Sequence, residues 1–320
     1  MKLGLFFDLR NPEPWARPWP EVYGATLDLL ERAEALGCEA AWFTEHHLFD
    51  DGYLPQPLTF LAAVAARTRR MTIGTAVVLA ALRPAPLVAE EAAVVDQLSG
   101  GRLELGIGAG YVAREYELYD RDITRRYGLT DAAVAEIRRL LDDGVVTPGP
   151  AQRPFPLWLG YQGPQGARRA GRLGVGLLSL DRSLLEPYRD GLVEGGHDPA
   201  TARTGGLLDI VVAGDPEATL ERILPHYLHQ ANSYGAAAAA GTGREPRVLT
   251  AEKVLSRRTG PGSVPGLRVL TPDEAVAAIR EAVADSPVEH VYLWASIAAM
   301  PDDLVEEHVE LLFTQVRPRL

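Results

Sequence analysis

The chain has 320 residues, of which 47% are hydrophobic, enough for a large buried core in one or two domains. Its 43 acidic residues outnumber its 32 basic ones, and the net charge of -11 argues against nucleic acid or an anionic membrane as a partner. A single cysteine, Cys38, excludes an intrachain disulfide. The sequence shows neither the pattern of a secretory leader nor an apolar run of about 20 residues, so we expect a cytoplasmic protein.

Short apolar runs alternate with longer segments of helical period, the pattern of a parallel sheet built from βα units. The predicted strands are Lys2–Phe7, Glu39–Thr44, Met71–Leu79, Arg102–Ile107, Pro156–Leu159, Val175–Leu180, Leu207–Ala213 and Val288–Trp294. The predicted helices are Glu21–Ala35, Leu58–Arg69, Pro86–Leu98, Gln165–Leu173, Leu184–Glu194, Pro216–Ala231, a capped helix that begins at Thr271, and Pro301–Val316. Eight such units predict a single-domain (β/α)8 TIM barrel over residues 1–320, with an open doubly wound sheet as the alternative.

A closed barrel needs about 250 residues, so two insertions are expected. One covers residues 111–154, with a single good helix near Asp131–Leu141, and the other covers residues 233–270. Either can form a lid over the C-terminal mouth of the barrel. The run Ala236–Ala240 fits a helical extension equally well.

Glu45, His46 and His47 directly follow the second predicted strand, at the end of a barrel strand where active sites are assembled. Adjacent side chains here point in different directions, so only one imidazole is expected to face the mouth. The alternative is structural, with one histidine capping a helix and the other packed in the core. The location makes all three residues candidates for catalysis.

Glycines cluster where the fourth predicted strand ends. Gly106, Gly108 and Gly110 alternate with Ile107 and Ala109, so one side of the strand end has almost no side chains. A flat ring system can approach such a backbone closely, although a tight turn explains the same residues. The GxGxxG spacing of the dinucleotide-binding fold is absent.

The turn Tyr161-Gln162-Gly163 joins the fifth predicted strand to a helix. The free N–H groups at the start of that helix can hold a phosphate, and Arg168 and Arg169 follow one turn later. A short turn with solvated arginines is the alternative.

His226 and His229 lie three residues apart on a predicted helix. Together with an earlier histidine they make only a weak zinc pattern, because no second cluster has ligand spacing, and we expect no metal. The GxSxG, P-loop and CxxC signatures are absent. The sequence thus offers no motif for serine acyl transfer, NTP hydrolysis or dithiol redox chemistry.

Four segments, taken together, resemble the bacterial luciferase-like monooxygenase superfamily in both order and spacing. They are residues 41–47 (AWFTEHH), 73–78 (IGTAVV), 90–108 (EEAAVVDQLSGGRLELGIG) and 156–160 (PLWLG). The resemblance runs from Met1 to about Leu180 and resumes from Thr271 to Trp294, whereas residues 181–270 rest on pattern alone.

The resemblance implies a barrel that binds reduced FMN, or in one branch a deazaflavin coenzyme, at its C-terminal mouth. It implies that His46 donates or accepts a proton near the reactive flavin edge, with His47 as its neighbour. Ala76 and Val77 match the bulge beneath the flavin ring, often the site of a non-proline cis peptide. Gly108, Ala109 and Gly110 would complete this floor. The resemblance also implies a homodimer formed through outer barrel helices.

The sequence departs from the family at the flavin phosphate. Ala109 stands where many FMN-binding members have arginine, and residues 161–164 replace the hydroxyl residues used there. Backbone N–H groups, Gln162, or Arg168 and Arg169 would have to hold the phosphate instead. Gly108 corresponds to the reactive cysteine of the luciferases, so light emission is not implied.

The leading hypothesis is a monooxygenase in which reduced FMN from a separate reductase, together with O2, oxidises a small organic substrate. Tyr111, His226, His229 and Tyr234 are candidates for the substrate wall. The first alternative is a deazaflavin-dependent hydride-transfer enzyme on the same fold. A non-catalytic flavin-binding protein and a metal hydrolase are the others.

Overall fold

A computed structural model describes all 320 residues and contains the predicted (β/α)8 barrel. The barrel strands are β1 (Lys2–Phe7), β2 (Ala40–Phe43), β3 (Thr72–Thr75), β4 (Leu103–Ile107), β5 (Leu157–Leu159), β6 (Gly176–Leu178), β7 (Thr204–Leu208) and β11 (Val288–Trp294). They close in the order β1-β11-β7-β6-β5-β4-β3-β2, with all neighbours parallel. A separate sheet contains β8 (Ile210–Val212), β9 (Ser263–Val264) and β10 (Leu267–Leu270).

The α-helices cover the outside of the barrel and part of its mouth. They are α1 (Trp19–Leu36), α2 (Pro57–Arg67), α3 (Ala85–Ser99), α4 (Ala113–Leu118), α5 (Arg126–Asp142), α6 (Gly163–Arg172), α7 (Leu185–Glu194), α8 (Pro216–Ala239), α9 (Ala251–Leu255), α10 (Pro272–Val283) and α11 (Asp302–Leu311). None of them combines the length and the apolar composition that a membrane span requires.

Helix boundaries follow local signals in the sequence. α1 ends at Gly37, whose φ of 104° lies in the left-handed region that glycine adopts without steric cost. α10 begins with a capping box, in which the Thr271 side chain accepts from the Glu274 N–H and the Glu274 carboxylate accepts from the Thr271 N–H. These signals explain why both ends were predictable.

The predicted strand Leu207–Ala213 is wrong in its extent, because it covers two strands of different sheets. β7 lies in the barrel, whereas β8 pairs with β10 in the small sheet. Asp209 stands at the break, where it accepts a hydrogen bond from Trp294 Nε1 at 2.9 Å. An apolar run carries no signal for such a change of partner.

The two insertions are more helical than predicted. Within residues 111–154, α5 packs against α3 as the regular helix between β4 and β5, and α4 is the added element at the mouth. Within residues 233–270, α8 continues to Ala239, so most of the Ala236–Ala240 run is a helical extension. The rest forms α9 and the strands β9 and β10.

Large side chains fill the barrel interior. Trp42 and Trp158 are fully buried with ring centroids 6.3 Å apart. Glu104 accepts from Trp158 Nε1 at 2.6 Å and from His290 Nε2 at 3.1 Å. Burial would raise the pKa of Glu104, but these contacts and Lys2 lower it to about 2. A ligand site is therefore confined to the mouth.

Candidate active site

Glu45, His46 and His47 lie in the loop after β2, at the C-terminal mouth, and only 1%, 7% and 6% of their surfaces are exposed. The two imidazoles bind different carboxylates, His46 that of Glu115 and His47 that of Glu45. They diverge, as expected for neighbours after a strand.

Glu115 holds His46 in place and was missed by the sequence analysis. Glu115 Oε1 lies 2.8 Å from His46 Nδ1 and also accepts the His47 backbone N–H at 2.6 Å. The residue is completely buried on α4, and its Oε2 has no hydrogen-bond partner. An ionised carboxylate only accepts, so a neutral His46 donates from Nδ1 and keeps its lone pair on Nε2. That Nε2 makes no hydrogen bond within the chain.

His47 is fixed at both ring nitrogens. Its Nε2 donates to Glu45 Oε1 at 2.9 Å, and Tyr119 OH lies 3.5 Å from its Nδ1. The other oxygen of Glu45 lies 3.5 Å from Arg83 Nη2. Of the two histidines, only His46 therefore has a free nitrogen for chemistry.

Four aromatic side chains surround the imidazole of His46, and we call them the aromatic enclosure. Their ring centroids lie 4.8 Å (Phe49), 4.9 Å (Tyr53), 5.2 Å (Tyr111) and 6.1 Å (Tyr234) from the centroid of the imidazole. Tyr53 and Tyr234 join their hydroxyls at 3.0 Å. Burial raises the pKa of Tyr234 to about 12 and that of Tyr53 well above its ordinary value, so both phenols stay neutral.

A buried arginine, which the sequence analysis also missed, lies behind this enclosure. Arg10 follows β1, and its Nε donates to Asp8 at 3.0 Å while its Nη1 donates to Asp51 and, at 2.7 Å, to Ser233 Oγ. Its Nη2 is buried without a partner. The guanidinium carbon lies 4.4 to 5.1 Å from three ring centroids of the enclosure, those of Tyr234, Tyr53 and Phe49.

The four predicted substrate residues divide into two pairs. The tyrosines belong to the aromatic enclosure, whereas the histidines make no contact with His46. His229 Nε2 donates to Asp51 at 2.9 Å, which places His229 beside Arg10 and its carboxylate partners. His226 is buried and stacks on Trp15 with centroids 3.7 Å apart. His226 therefore packs behind the mouth instead of lining it.

The glycines after β4 do not form the open surface that was expected to face the flavin ring. A Cβ atom added to Gly108 would lie 2.3 Å from Val77 Cγ2, so the bare side of this glycine is filled by Val77. Ala109 is 5% exposed, and Gly110 has a φ of 67°. Ala76 and Val77 remain partly exposed and are joined by a cis peptide bond. They, and not the glycines, present the surface at the end of β3.

The turn before α6 keeps free backbone donors. α6 begins at Gly163, and Gln162 precedes it without capping the helix through its side chain. Tyr161 is 1% exposed, and its hydroxyl donates to Asp131 at 2.9 Å, so this side chain is turned into the protein. The first N–H groups of the helix are the anion-binding feature that remains.

Arg168 and Arg169 of α6 already have carboxylate partners. Arg168 pairs with Glu194 on α7, and Arg169 pairs with Asp131 on α5. A phosphate at this turn would therefore rest on backbone N–H groups and Gln162, without a free guanidinium.

A cavity of about 240 Å³ lies between α1 and α11, outside the aromatic enclosure. Asp8 and Arg10 line it, and Arg17 pairs with Asp302 across it at 2.8 Å. Arg10 Nη2 has no exposed surface, so it does not face this cavity. The guanidinium carbon of Arg10 lies within 5.1 Å of three ring centroids of the aromatic enclosure.

The chain matches the model of the luciferase-like monooxygenase family over residues 1–290. It belongs to this family. The resemblance carried by the four sequence segments is thereby confirmed.

Its relatives include enzymes of two kinds. It is 30% identical over 207 residues to an F420-dependent glucose-6-phosphate dehydrogenase of Amycolatopsis mediterranei, covering 57% of this chain and 62% of the relative. It is 36% identical over 115 residues to the 4-hydroxyprotoasukamycin monooxygenase of Streptomyces nodosus subsp. asukaensis, covering 36% and 31%. The chain thus matches less than two thirds of the length of either relative.

The monooxygenase RslO1 from Streptomyces bottropensis has a similar structure, with a TM-score of 0.82 over 99% of both chains. Sequence identity is 23%, so this likeness concerns the fold.

Proposed function

We propose that the chain is a monooxygenase that uses reduced FMN and O2 to oxidise a small organic substrate at the barrel mouth. One observation carries the proposal: His46, anchored by the buried Glu115, keeps Nε2 free inside an enclosure of aromatic rings. A neutral imidazole with one unpaired ring nitrogen can accept a proton there and return it, which suits it to proton transfer.

The residues at the mouth fit reduced FMN. Ala76 and Val77 offer a partly exposed surface for the ring system, and the uncapped start of α6 offers N–H groups for the phosphate. When bound, the flavin would supply the electrons that activate O2. Tyr161 would not take part through its side chain, because its hydroxyl is committed to Asp131.

The chain itself orients the reaction and controls protons. Glu115 fixes the ring of His46 through Nδ1, so Nε2 is the atom that gives or takes the proton. Only 7% of the His46 surface is exposed within the aromatic enclosure, and this shielding would protect reactive oxygen chemistry from side reactions.

A deazaflavin-dependent oxidoreductase is the second candidate. It is favoured by the 207-residue match to an F420-dependent dehydrogenase, which is longer than the match to the monooxygenase relative. The absence of a free arginine at α6 also weakens the case for FMN as a tightly held group. His46 Nε2 would then accept the proton of an alcohol, and the deazaflavin, when bound, would supply the hydride-accepting chemistry.

Anaerobic titration with reduced FMN and, separately, with the reduced deazaflavin F420 separates the two candidates. We expect reduced FMN to bind at least tenfold more tightly. The opposite preference would favour the second candidate, and binding of neither would contradict both. His46→Asn should bind reduced FMN normally but slow its reoxidation by O2 at least tenfold, since general acid catalysis typically contributes about 10²- to 10⁴-fold. If His46→Asn leaves the rate of FMN reoxidation unchanged, the remaining hypothesis is a non-catalytic flavin-binding protein.

The proposal includes two partners. A separate flavin reductase would deliver the reduced FMN. A second copy of the chain would pack on the outer helices, where α3 exposes Leu87, Val94 and Leu98 by 44%, 46% and 56%. Light scattering should give a dimer for the wild type and a shift toward monomer for Leu98→Glu; a monomeric wild type would contradict the dimer.

A further inference from the structure

Arg10 is placed where it can select a substrate. Its guanidinium has three hydrogen-bonded partners, Asp8, Asp51 and Ser233, but its Nη2 is left without one although the side chain is fully buried. A buried unpaired N–H group is costly, because its desolvation is not offset. Arg10 Nη2 is one of several such atoms in the chain, and it differs from the others because its guanidinium lies over the rings that surround His46.

The free Nη2 and the free nitrogen of His46 border the same aromatic rings. Phe49, Tyr53 and Tyr234 each contact both the guanidinium and the imidazole. Tyr53 is buried, with 3% of its surface exposed, whereas Tyr234 is partly exposed on the last turns of α8. A flat ring that takes the place of the Tyr234 ring would therefore stack in the enclosure and meet Nη2 at its edge.

The charges around Arg10 select against an anion. Two carboxylates, Asp8 and Asp51, already neutralise and exceed its single positive charge. Desolvation raises the pKa of Asp8, and the charge of Asp51 adds to this increase, so negative charge is already crowded here. From α8, Gln230 donates to Asp8 and His229 donates to Asp51. A neutral oxygen can accept from Nη2 without bringing a third negative charge.

We propose that Arg10 is a specificity-determining residue, which donates from Nη2 to the neutral carbonyl oxygen of a planar, ring-containing substrate stacked in the aromatic enclosure. This inference deepens the proposed function, since it assigns the substrate class of the same site. His46 Nε2 and Arg10 Nη2 then contact the substrate from two sides, and the aromatic rings hold it between them.

Three small probes of one shape test the inference without any flavin: 1-indanone has a neutral carbonyl, indane has no oxygen, and indane-1-carboxylate carries a negative charge. Their dissociation constants are measured by ligand-observed NMR titration. We expect the wild type to bind 1-indanone at least tenfold more tightly than the other two, the effect of one hydrogen bond to a charged donor. Equal binding of 1-indanone and indane, or a preference for the carboxylate, would overturn the proposal.

Variants assign the preference to Arg10. Arg10→Met should abolish it and leave indane binding within about threefold of wild type. Arg10→Lys keeps a positive charge between Asp8 and Asp51, so it controls for unfolding caused by removal of that charge. It should also lose the preference for 1-indanone, because lysine lacks the second terminal nitrogen. Arg17→Met, on the same loop, is the matched control and should keep the preference. A preference that survives in Arg10→Lys would refute the role of Nη2.

This outcome is independent of the coenzyme. Failure of the proposed function would appear as no binding of reduced FMN or the deazaflavin by the wild type, whereas failure of this inference would appear only in the probe series.

Discussion

The contact between Glu115 and His46 predicts which ring nitrogen of His46 carries the proton. In the neutral ring, Nδ1 should be protonated and Nε2 should be free, because the buried carboxylate 2.8 Å from Nδ1 can only accept. A hydrogen bond to a charged group contributes about 1.5 to 3 kcal/mol. This corresponds to a bias of about 10- to 150-fold toward the Nδ1–H tautomer. Glu115→Ala removes the acceptor and should abolish the bias.

Long-range ¹H–¹⁵N correlation spectra of protein labelled with ¹⁵N-histidine report the tautomer directly. His229 is an internal reference, because its Nε2 contacts Asp51 and should remain protonated in every variant. Glu117→Ala removes an exposed carboxylate from the same helix and should leave His46 unchanged. A wild-type His46 protonated at Nε2, or a spectrum that does not respond to Glu115→Ala, would refute the assignment of Nε2 as the reacting atom.

Three further predictions concern buried groups. Burial lowers the pKa of His308 to about 4, so as the pH falls this histidine is protonated in the unfolded chain before it is protonated in the native one. The free energy of unfolding should therefore fall by about 3 kcal/mol between pH 6.5 and 4. In urea unfolding, His308→Asn, which can still accept from the Val212 N–H, should lose this part of the acid sensitivity; an equally steep pH dependence would contradict it. Burial raises the pKa of the Cys38 thiol to about 12, so Ellman's reagent should label it only after unfolding, and rapid labelling of the native protein would disprove this. Tyr234→Ala should tighten binding of 1-indanone severalfold by uncovering Arg10, whereas weaker binding in the NMR titration would show that the ring is part of the site.

Much of the barrel could be predicted from local pattern. The predicted strands Lys2–Phe7 and Val288–Trp294 have the bounds that the structure gives for β1 and β11. Buried strands between helices of amphipathic period leave a strong trace in one sequence. The error at β7 and β8 arose because the charged residue Asp209, where the chain changes sheets, was included in a run that is otherwise apolar. Local pattern describes burial, and the pairing partner is decided by tertiary contacts.

The predicted residues Tyr111 and Tyr234 lie beside His46, but the polar partners of the candidate site were predictable only where they are adjacent in the chain. His46 and His47 stand out because they follow a strand, and the location of a strand end is a local property. Glu115 lies 69 residues from His46, in a helix whose sequence is typical of a solvated surface. The same holds for Arg10, which contacts Ser233 across 223 residues. Residues so far apart in the chain leave no periodic pattern in the sequence, and they come together only in the folded protein.

Two of the unpaired polar atoms at the folded mouth belong to side chains that border the same aromatic rings. His47 is bound at both ring nitrogens, Glu45 and Asp8 each accept from more than one donor, and Arg168 and Arg169 of α6 have carboxylate partners. Arg83 Nε, Asp51 Oδ1 and Glu115 Oε2 are buried without a partner, as is Arg10 Nη2. His46 Nε2 also has no partner within the chain, and its imidazole borders the same aromatic rings as the guanidinium of Arg10. Desolvation makes the buried, unpaired Nη2 of Arg10 unfavourable for folding alone, so its position beside the same rings as His46 is better explained by a bound substrate than by stability. One of the two atoms can move a proton and the other can only donate a hydrogen bond, which separates the task of chemistry from the task of selection.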